Sequence, residues 1–446
     1  MESQASLDLL SDLVAGARRA GADAADAVLV HGTSISHAQR LGETEKLERA
    51  EGQDVGLRVF VGRRQAVVSS SDLGKAALAE LVDRAVAMAR VVPEDPHCGL
   101  ADPAEIAREW PDVDLADPSE PAAATLIDWA RRAEDAARAV PGVTNSEGAE
   151  AGWSRRRIAL VASNGFAGSY AGSGWSVSVS VLAGTGTAME RDYDFTSAVY
   201  AADLRTPEAV GTTAGERTVR RLDPRKAATT KAPVVFDPRV AGGLVGHLAG
   251  AINGQAIARG TSFLKDRMGT AVLAPGVAVI DDPLRRRGLR SRPFDGEGIA
   301  ARRRALVEDG VLKSWVLDLR TARQLGLATT GNAARGTGGP PSPATTNLYL
   351  EAGTETPAAL LKRVGRGLYV TDLMGFGVNL VTGDYSRGAA GFWIENGELA
   401  YPVSEVTIAA GLKDMLRTLV PASDLEFRYG TNAPTVLIPE MTIAGR

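Results

Sequence analysis

Val234-Val-Phe-Asp-Pro-Arg-Val-Ala-Gly-Gly-Leu-Val-Gly-His-Leu-Ala-Gly-Ala-Ile-Asn-Gly-Gln-Ala-Ile-Ala-Arg-Gly-Thr261 is the stretch around which the chain is organised. It opens as a short apolar strand. Asp237 is a good helix N-cap and Pro238 suits the first helical position, so a helix is expected from there, with no proline to stop it before Gly260. Leu244, Leu248, Ile252 and Ile257 recur at helical spacing and form one apolar face. Gly242, Gly246, Gly250 and Gly254 recur every fourth residue and form a bare stripe that includes His247. Each glycine inside a helix costs about 1 kcal/mol relative to alanine. Four of them imply that something approaches the backbone closely along the stripe.

The motif at the centre of this helix resembles that of the TldD/PmbA family. In the family's catalytic TldD branch the corresponding helix carries His-Glu-x-x-x-His, with zinc-binding histidines and a glutamate base. Here the six positions read Gly242-Gly243-Leu244-Val245-Gly246-His247, and only the last histidine remains. The chain therefore resembles the PmbA (TldE) branch. A second match is Leu368-Tyr-Val-Thr-Asp-Leu-Met-Gly-Phe-Gly-Val-Asn-Leu-Val-Thr-Gly-Asp-Tyr-Ser-Arg-Gly388, and the likeness runs through essentially the whole chain. It implies a partner subunit of a two-chain metallopeptidase acting on cytoplasmic unfolded peptides. It implies no metal or cofactor in this chain and zinc in a TldD-like partner. In the absence of that partner, the chain is expected to form a homodimer.

Composition agrees with a soluble globular protein. The 446 residues are 44% hydrophobic and 23% charged, with net charge −4. There is no global basic excess to favour nucleic acid. The N-terminal residues lack a signal-peptide pattern. The glycine helix is too polar to span a membrane, interrupted as it is by His247, Asn253 and Gln255. A cytoplasmic protein is expected. The single cysteine, Cys98, rules out an intramolecular disulfide or a multi-cysteine zinc site.

An α+β fold is expected in three parts: an N-terminal domain with a proline-rich linker (1–115), a middle domain (116–226) and a large antiparallel β-rich C-terminal domain holding the glycine-rich helix (227–446). The first two are units of helix and antiparallel strand. Expected helices include 6–20, 75–90, 122–140 and 206–222. Strands 143–152 and 157–163 are expected to meet at the polar Ser154–Arg157. The prolines between Val92 and Pro121 read as a surface linker. Its His97 and Cys98 are too few for a structural metal site. Glu190, Asp192 and Asp194 alternate and read as an exposed acidic edge. Asp309-Gly310 and Asn396-Gly397 are hairpin turns.

Other features bear on function. Arg285, Arg286, Arg287, Arg290 and Arg292, with Arg302–Arg304, form a basic patch without a neighbouring aromatic platform in sequence, suited to peptide carboxylates or to ion pairing with a partner. The stretch 330–343, rich in Gly and Pro, reads as a long mobile loop that could gate peptide entry. Asp384-Tyr385-Ser386-Arg387 has no histidine beside it in sequence to activate the serine and reads as a polar turn. Candidate contacts to substrate or partner are Gly246, Gly250, Gly254, Asn332, Asp384, Tyr385 and Arg387. No catalytic residue is assigned in a motif degenerate at Gly242 and Gly243, and His247 is expected to pack against the stripe or the partner. The alternatives are that the chain is itself a PmbA-type metallopeptidase, or that it is a peptide-binding or chaperone-like homodimer. Gyrase modulation is the reading these residues support least.

Overall fold

The computed structural model describes residues 3–445. The chain is α+β, and its first half is one continuous antiparallel sheet. Strands β1 (Ala24–Arg40), β2 (Glu43–Val61), β3 (Arg64–Ser70), β4 (Val143–Ala162), β5 (Ala167–Ala183) and β6 (Glu190–Ala198) lie in the order β3-β2-β1-β4-β5-β6. β1 and β4, from either side of the boundary expected near residue 115, pair from Asp26↔Ala162 to Gln39↔Ala149. The expected domain units thus share one sheet.

The strands are also longer than expected. β4 runs unbroken through Ser154–Arg157, because β1 and β5 pair with it on both sides there. Arg155, Arg156 and Arg157 are consecutive and so alternate between the two faces of this strand; their polarity marks neither a break nor a turn.

Two helix pairs cover one face of this sheet. α1 (Ser3–Arg19) and α2 (Lys75–Val91) pack Leu10, Leu13, Leu81 and Val86 on Ala27, Leu29, Val55 and Leu57. α3 (Ala123–Arg138) and α4 (Pro207–Arg220) pack Leu126, Ala130 and Val210 on Trp153, Trp175 and Val177. The opposite face, with Val28, Leu160 and Phe166, meets Ile106, Phe294 and Ile299 of the linker and the C-terminal half. The proline-rich linker is therefore not a surface feature throughout. Ile106, Ala107, Val113 and Leu115 are buried, and Ala107 N donates to Gly298 O at 2.8 Å.

The C-terminal half is built on a closed ring of strands. Strand β7 (Thr230–Phe236) pairs in parallel with Gly367–Met374 and antiparallel with Val436–Ala444. The last of these pairs with Glu398–Gly411, which pairs with Asp384–Glu395, which returns to Gly367–Met374. One parallel pairing makes this barrel mixed, where antiparallel strands were expected. The two hairpin turns form as expected. Asn396 (φ 55°) and Gly397 (φ 79°), like Asp309 and Gly310, take the left-handed conformations that such two-residue turns need.

α5 (Pro238–Ala251) leaves the barrel directly after β7, starting on Asp237, whose side chain accepts from Arg239 N at 2.9 Å. It ends earlier than expected. The backbone at Ile252 and Gly254 pairs instead with Val316, through Val316 N to Ile252 O at 3.1 Å and Gly254 N to Val316 O at 2.8 Å. Asn253 then caps a separate short helix, Gly254–Ala258, accepting from Gln255 N at 3.0 Å.

Candidate functional site

α5 is held at both ends and along one face. Leu244, Val245, Leu248 and Ile252 are buried in the core beneath the barrel, against residues such as Phe236, Val370, Tyr385 and Ile408. At its first turn Arg239 forks onto Asp192 of β6, at 2.7 and 3.3 Å, while Tyr369 donates to Asp237 at 2.9 Å. Asp192 and Asp194 are 3% and 2% exposed, which overturns the reading of an exposed acidic edge. Asp194 receives Arg205, Arg217 at 2.9 Å and Arg428 at 3.3 Å, and Arg221 reaches Asp192 at 3.4 Å. Burial alone would raise the Asp192 carboxyl, but Arg239 and Arg221 hold it below the usual range. These guanidinium groups come from distant segments and convert an acidic strand into an anchor for the helix.

The glycine stripe is used unevenly. A Cβ on Gly242 would meet Thr431 O at 3.0 Å, one on Gly250 would meet Leu380 Cδ1 at 2.8 Å, and one on Gly254 would meet Thr321 Oγ1 at 2.6 Å. At these positions something does press on the backbone. Gly243 and Gly246 are exposed, and a Cβ on either would meet nothing within 4 Å. The stripe therefore leaves an open, side-chain-free strip on the outer face of α5, with His247 beside it.

His247 is half-buried and stands edge-on to Tyr385, ring centroids 5.9 Å apart. Burial, then the nearby Arg387 cation, lowers its pKa, so the imidazole is neutral at pH 7. Tyr385 is fully buried, its hydroxyl makes no hydrogen bond among the described residues, and burial raises its pKa so that it stays protonated. Arg387 donates to Met374 O at 3.1 Å. The structure thus brings together His247, Tyr385, Arg387, Gly246 and Gly250. Asp384 lies on the same strand and accepts from Thr382 at 2.5 Å. Between them runs the loop 375–383, which leaves Phe376 fully exposed and Val381 largely so.

Zinc is the ion that the family resemblance implies for the catalytic branch, and the donor set here does not fit it. A hydrolytic zinc takes about three N, O or S ligands and a water. Around His247 stand a protonated phenol, a guanidinium and two bare glycines. Among the described residues no group of three or more His, Cys, Asp or Glu side chains could hold an ion. The other histidines lie elsewhere: His37 is buried at 3.5 Å from Gln39, His31 pairs with Glu51 at 3.4 Å, and His97 is in the linker beside Cys98. Burial raises the Cys98 thiol pKa.

Two other expectations change. Asn332 is buried, donating to Asp281 at 2.7 Å and to Ala344 O at 3.2 Å, so its amide is taken up internally. The stretch 330–343 is a packed hairpin, Ala333–Ala334 pairing with Ser342–Pro343. Its Arg335 reaches Asp26 of β1 at 2.7 Å and its Thr337 bonds to Asp54 of β2, so it staples the C-terminal half to the sheet. Much of the basic patch is also paired within the chain. Arg286 and Arg287 meet Asp114 at 3.0 and 2.7 Å, and the rings of Tyr200 and Phe427 stack under Arg287 and Arg285, supplying from remote segments the aromatics that the patch itself lacks.

Comparison with known proteins agrees over nearly the whole length. Profiles of the PmbA/TldA metallopeptidase domain 1, central domain and C-terminal domain match residues 25–89, 116–222 and 229–445. The chain is 42% identical over 426 residues to metalloprotease PmbA of Escherichia coli O157:H7, covering 95% of this chain and 93% of that one. It is 38% identical over 433 residues to a metalloprotease PmbA homolog of Haemophilus influenzae, covering 96% and 94%. Among solved structures, a Bacteroides thetaiotaomicron protein described as a candidate modulator of DNA gyrase superposes with TM-score 0.91 at 26% identity, covering 98% of each chain. TldE from Thermococcus kodakarensis superposes with TM-score 0.88, covering 98% and 100%, and at 20% identity it speaks for the fold alone.

Proposed function

Because the chain belongs to the PmbA/TldD metallopeptidase family, we propose that it is the zinc-motif-lacking subunit of a two-chain peptidase. A TldD-like partner would supply the ion and the catalytic base, and unfolded peptide would be the substrate. The observation that carries this reading is the chemistry around His247: one neutral imidazole beside an open glycine strip, with a phenol and a guanidinium in place of further ligands. Gly243 and Gly246 offer backbone without side chains, a surface on which a partner element or an extended peptide can lie close. The exposed Phe376 loop beside it adds apolar surface of the kind that protein contacts cover.

A second reading, that the chain is itself a metallopeptidase, is favoured by the names of two relatives that it matches over nearly its whole length. Assaying unfolded-peptide cleavage by the pure chain, by a TldD-like chain, and by their mixture with zinc separates the two. We expect activity in the mixture, none from this chain alone, and little change on His247→Ala. Zinc-dependent hydrolysis by the chain alone, abolished by His247→Ala, would sink the proposal.

A further inference from the structure

Where the outer face of the six-stranded sheet meets the C-terminal half lies a cavity of about 270 Å³ lined by Arg156 and Tyr170 from the sheet and by Arg290, Arg292 and Thr345 from the other side. None of the three arginines is in an ion pair among the described residues, although the rest of the chain pairs its arginines freely. Arg292 donates Nη1 to Ala333 O at 2.8 Å, while its Nε and Nη2 are buried without partners. Tyr170, edge-on to Phe294 at 5.3 Å, is close enough to Arg292 and Arg156 to feel both charges.

The charges around this cavity do not balance. Arg335, which also lines the cavity, shares the single carboxylate of Asp26 with Arg58 behind it. Asp295 is the carboxylate in the cavity wall, and its oxygens are occupied by the backbone N–H groups of Glu297, Ile299 and Ala333. Glu297, buried beside Asp295, has its pKa pushed up to about 8 and is mostly protonated at pH 7. Three buried or half-buried guanidinium groups therefore face two carboxylates at most, with Arg156 and Arg290 adding positive charge at the exposed rim. A buried positive excess is costly unless an anion accompanies it.

We propose that this seam is a binding site for a compact oxyanion, a carboxylate or a phosphate, gripped by Arg156, Arg290 and Arg292. Planar guanidinium forks match such an anion geometrically. The volume suits a group of a few atoms, smaller than the usual ligand pocket. Tyr170 also lines an adjoining cavity of about 400 Å³ beneath the linker Trp110–Ala116, where the remainder of a larger molecule would lie. The proposal is independent of which chain carries zinc.

Calorimetric titration of the full-length chain with inorganic phosphate, with acetyl-Ala-Ala and with acetyl-Ala-Ala-amide tests it. We expect saturable binding of phosphate or of the free acid, and none of the amide. Binding of the acid identifies a peptide carboxylate as the natural source; binding of phosphate alone identifies a phosphate. Arg156 and Arg290 are exposed, so the Arg156→Gln/Arg290→Gln variant is expected to fold. It should bind about tenfold more weakly per lost charged hydrogen bond. Arg156→Gln alone serves if the double variant does not fold. Arg286→Gln, which removes a guanidinium paired with Asp114 outside the cavity, should bind as wild type does. No saturable binding by either anion, or equal binding by the double variant and wild type, would overturn the assignment.

Discussion

Glu297 illustrates how one buried group sets a pH response. Burial, then Asp295, raises its folded-state pKa to about 8, with Arg58 opposing. In the unfolded chain it titrates near its ordinary value of 4.5. A raised pKa means that the folded state holds the proton more tightly. The stabilisation is complete below pH 4.5 and is lost as the pH rises through 8. Over that window the slope from this group is about 1.4 kcal/mol per pH unit. Urea unfolding between pH 5 and 8 should show wild type losing stability more steeply than Glu297→Gln. The glycines provide a second test at this scale. Gly246→Ala, in open space, should stabilise the isolated chain by roughly 1 kcal/mol. Gly254→Ala, with Thr321 and Leu317 in the way, should destabilise it by about 1–3 kcal/mol. Thermal melts of both variants check the contrast. The stripe itself was legible from the four-residue spacing. Which glycines are pressed and which are open was not, because Thr431, Leu380 and Thr321 reach them from segments distant in sequence.

α5 is fixed by elements that local sequence does not announce. Its start was readable, since Asp237 and Pro238 act within one turn. Its end was not, because Val316 captures the backbone at Ile252 and Gly254. The alternation of Glu190, Asp192 and Asp194 correctly marked a strand, yet their burial depends on five arginines spread from Arg205 to Arg428. The pair Asp192–Arg239 is nearly dry on both sides, at 2% and 8% side-chain exposure. Removing Arg239 leaves the buried Asp192 only the longer contact to Arg221 at 3.4 Å, so Arg239→Met should destabilise by about 3 kcal/mol. Arg239→Met combined with Asp192→Asn should cost less than the two single changes summed. A double-mutant cycle in urea measures this. Independent, additive losses would show that the pair does not hold the helix.

Across the whole molecule the hairpin 330–343 does what its composition conceals. Glycine and proline there suggested freedom, but Arg335 and Thr337 find their partners on β1 and β2, about three hundred residues earlier. The backbone of Thr337 sits so close to β2 that a Cβ on Gly56 would fall 2.2 Å from Thr337 O. Gly56→Val should loosen this staple, and hydrogen exchange should then rise at 333–343 more than within the barrel. β2 has one further consequence. Beyond Val55, where β3 stops, its outer margin from Glu43 to Gln53 pairs with no second strand among the described residues. Such an unfinished border invites any extended chain to extend the sheet, and side-chain charge keeps strangers away. Glu43, Glu45, Glu48 and Glu51 line it, with Lys46 and Arg49 among them. A chain whose four glutamates there are neutralised should clump on concentration while its isolated fold is unchanged, so this border confers solubility as much as shape.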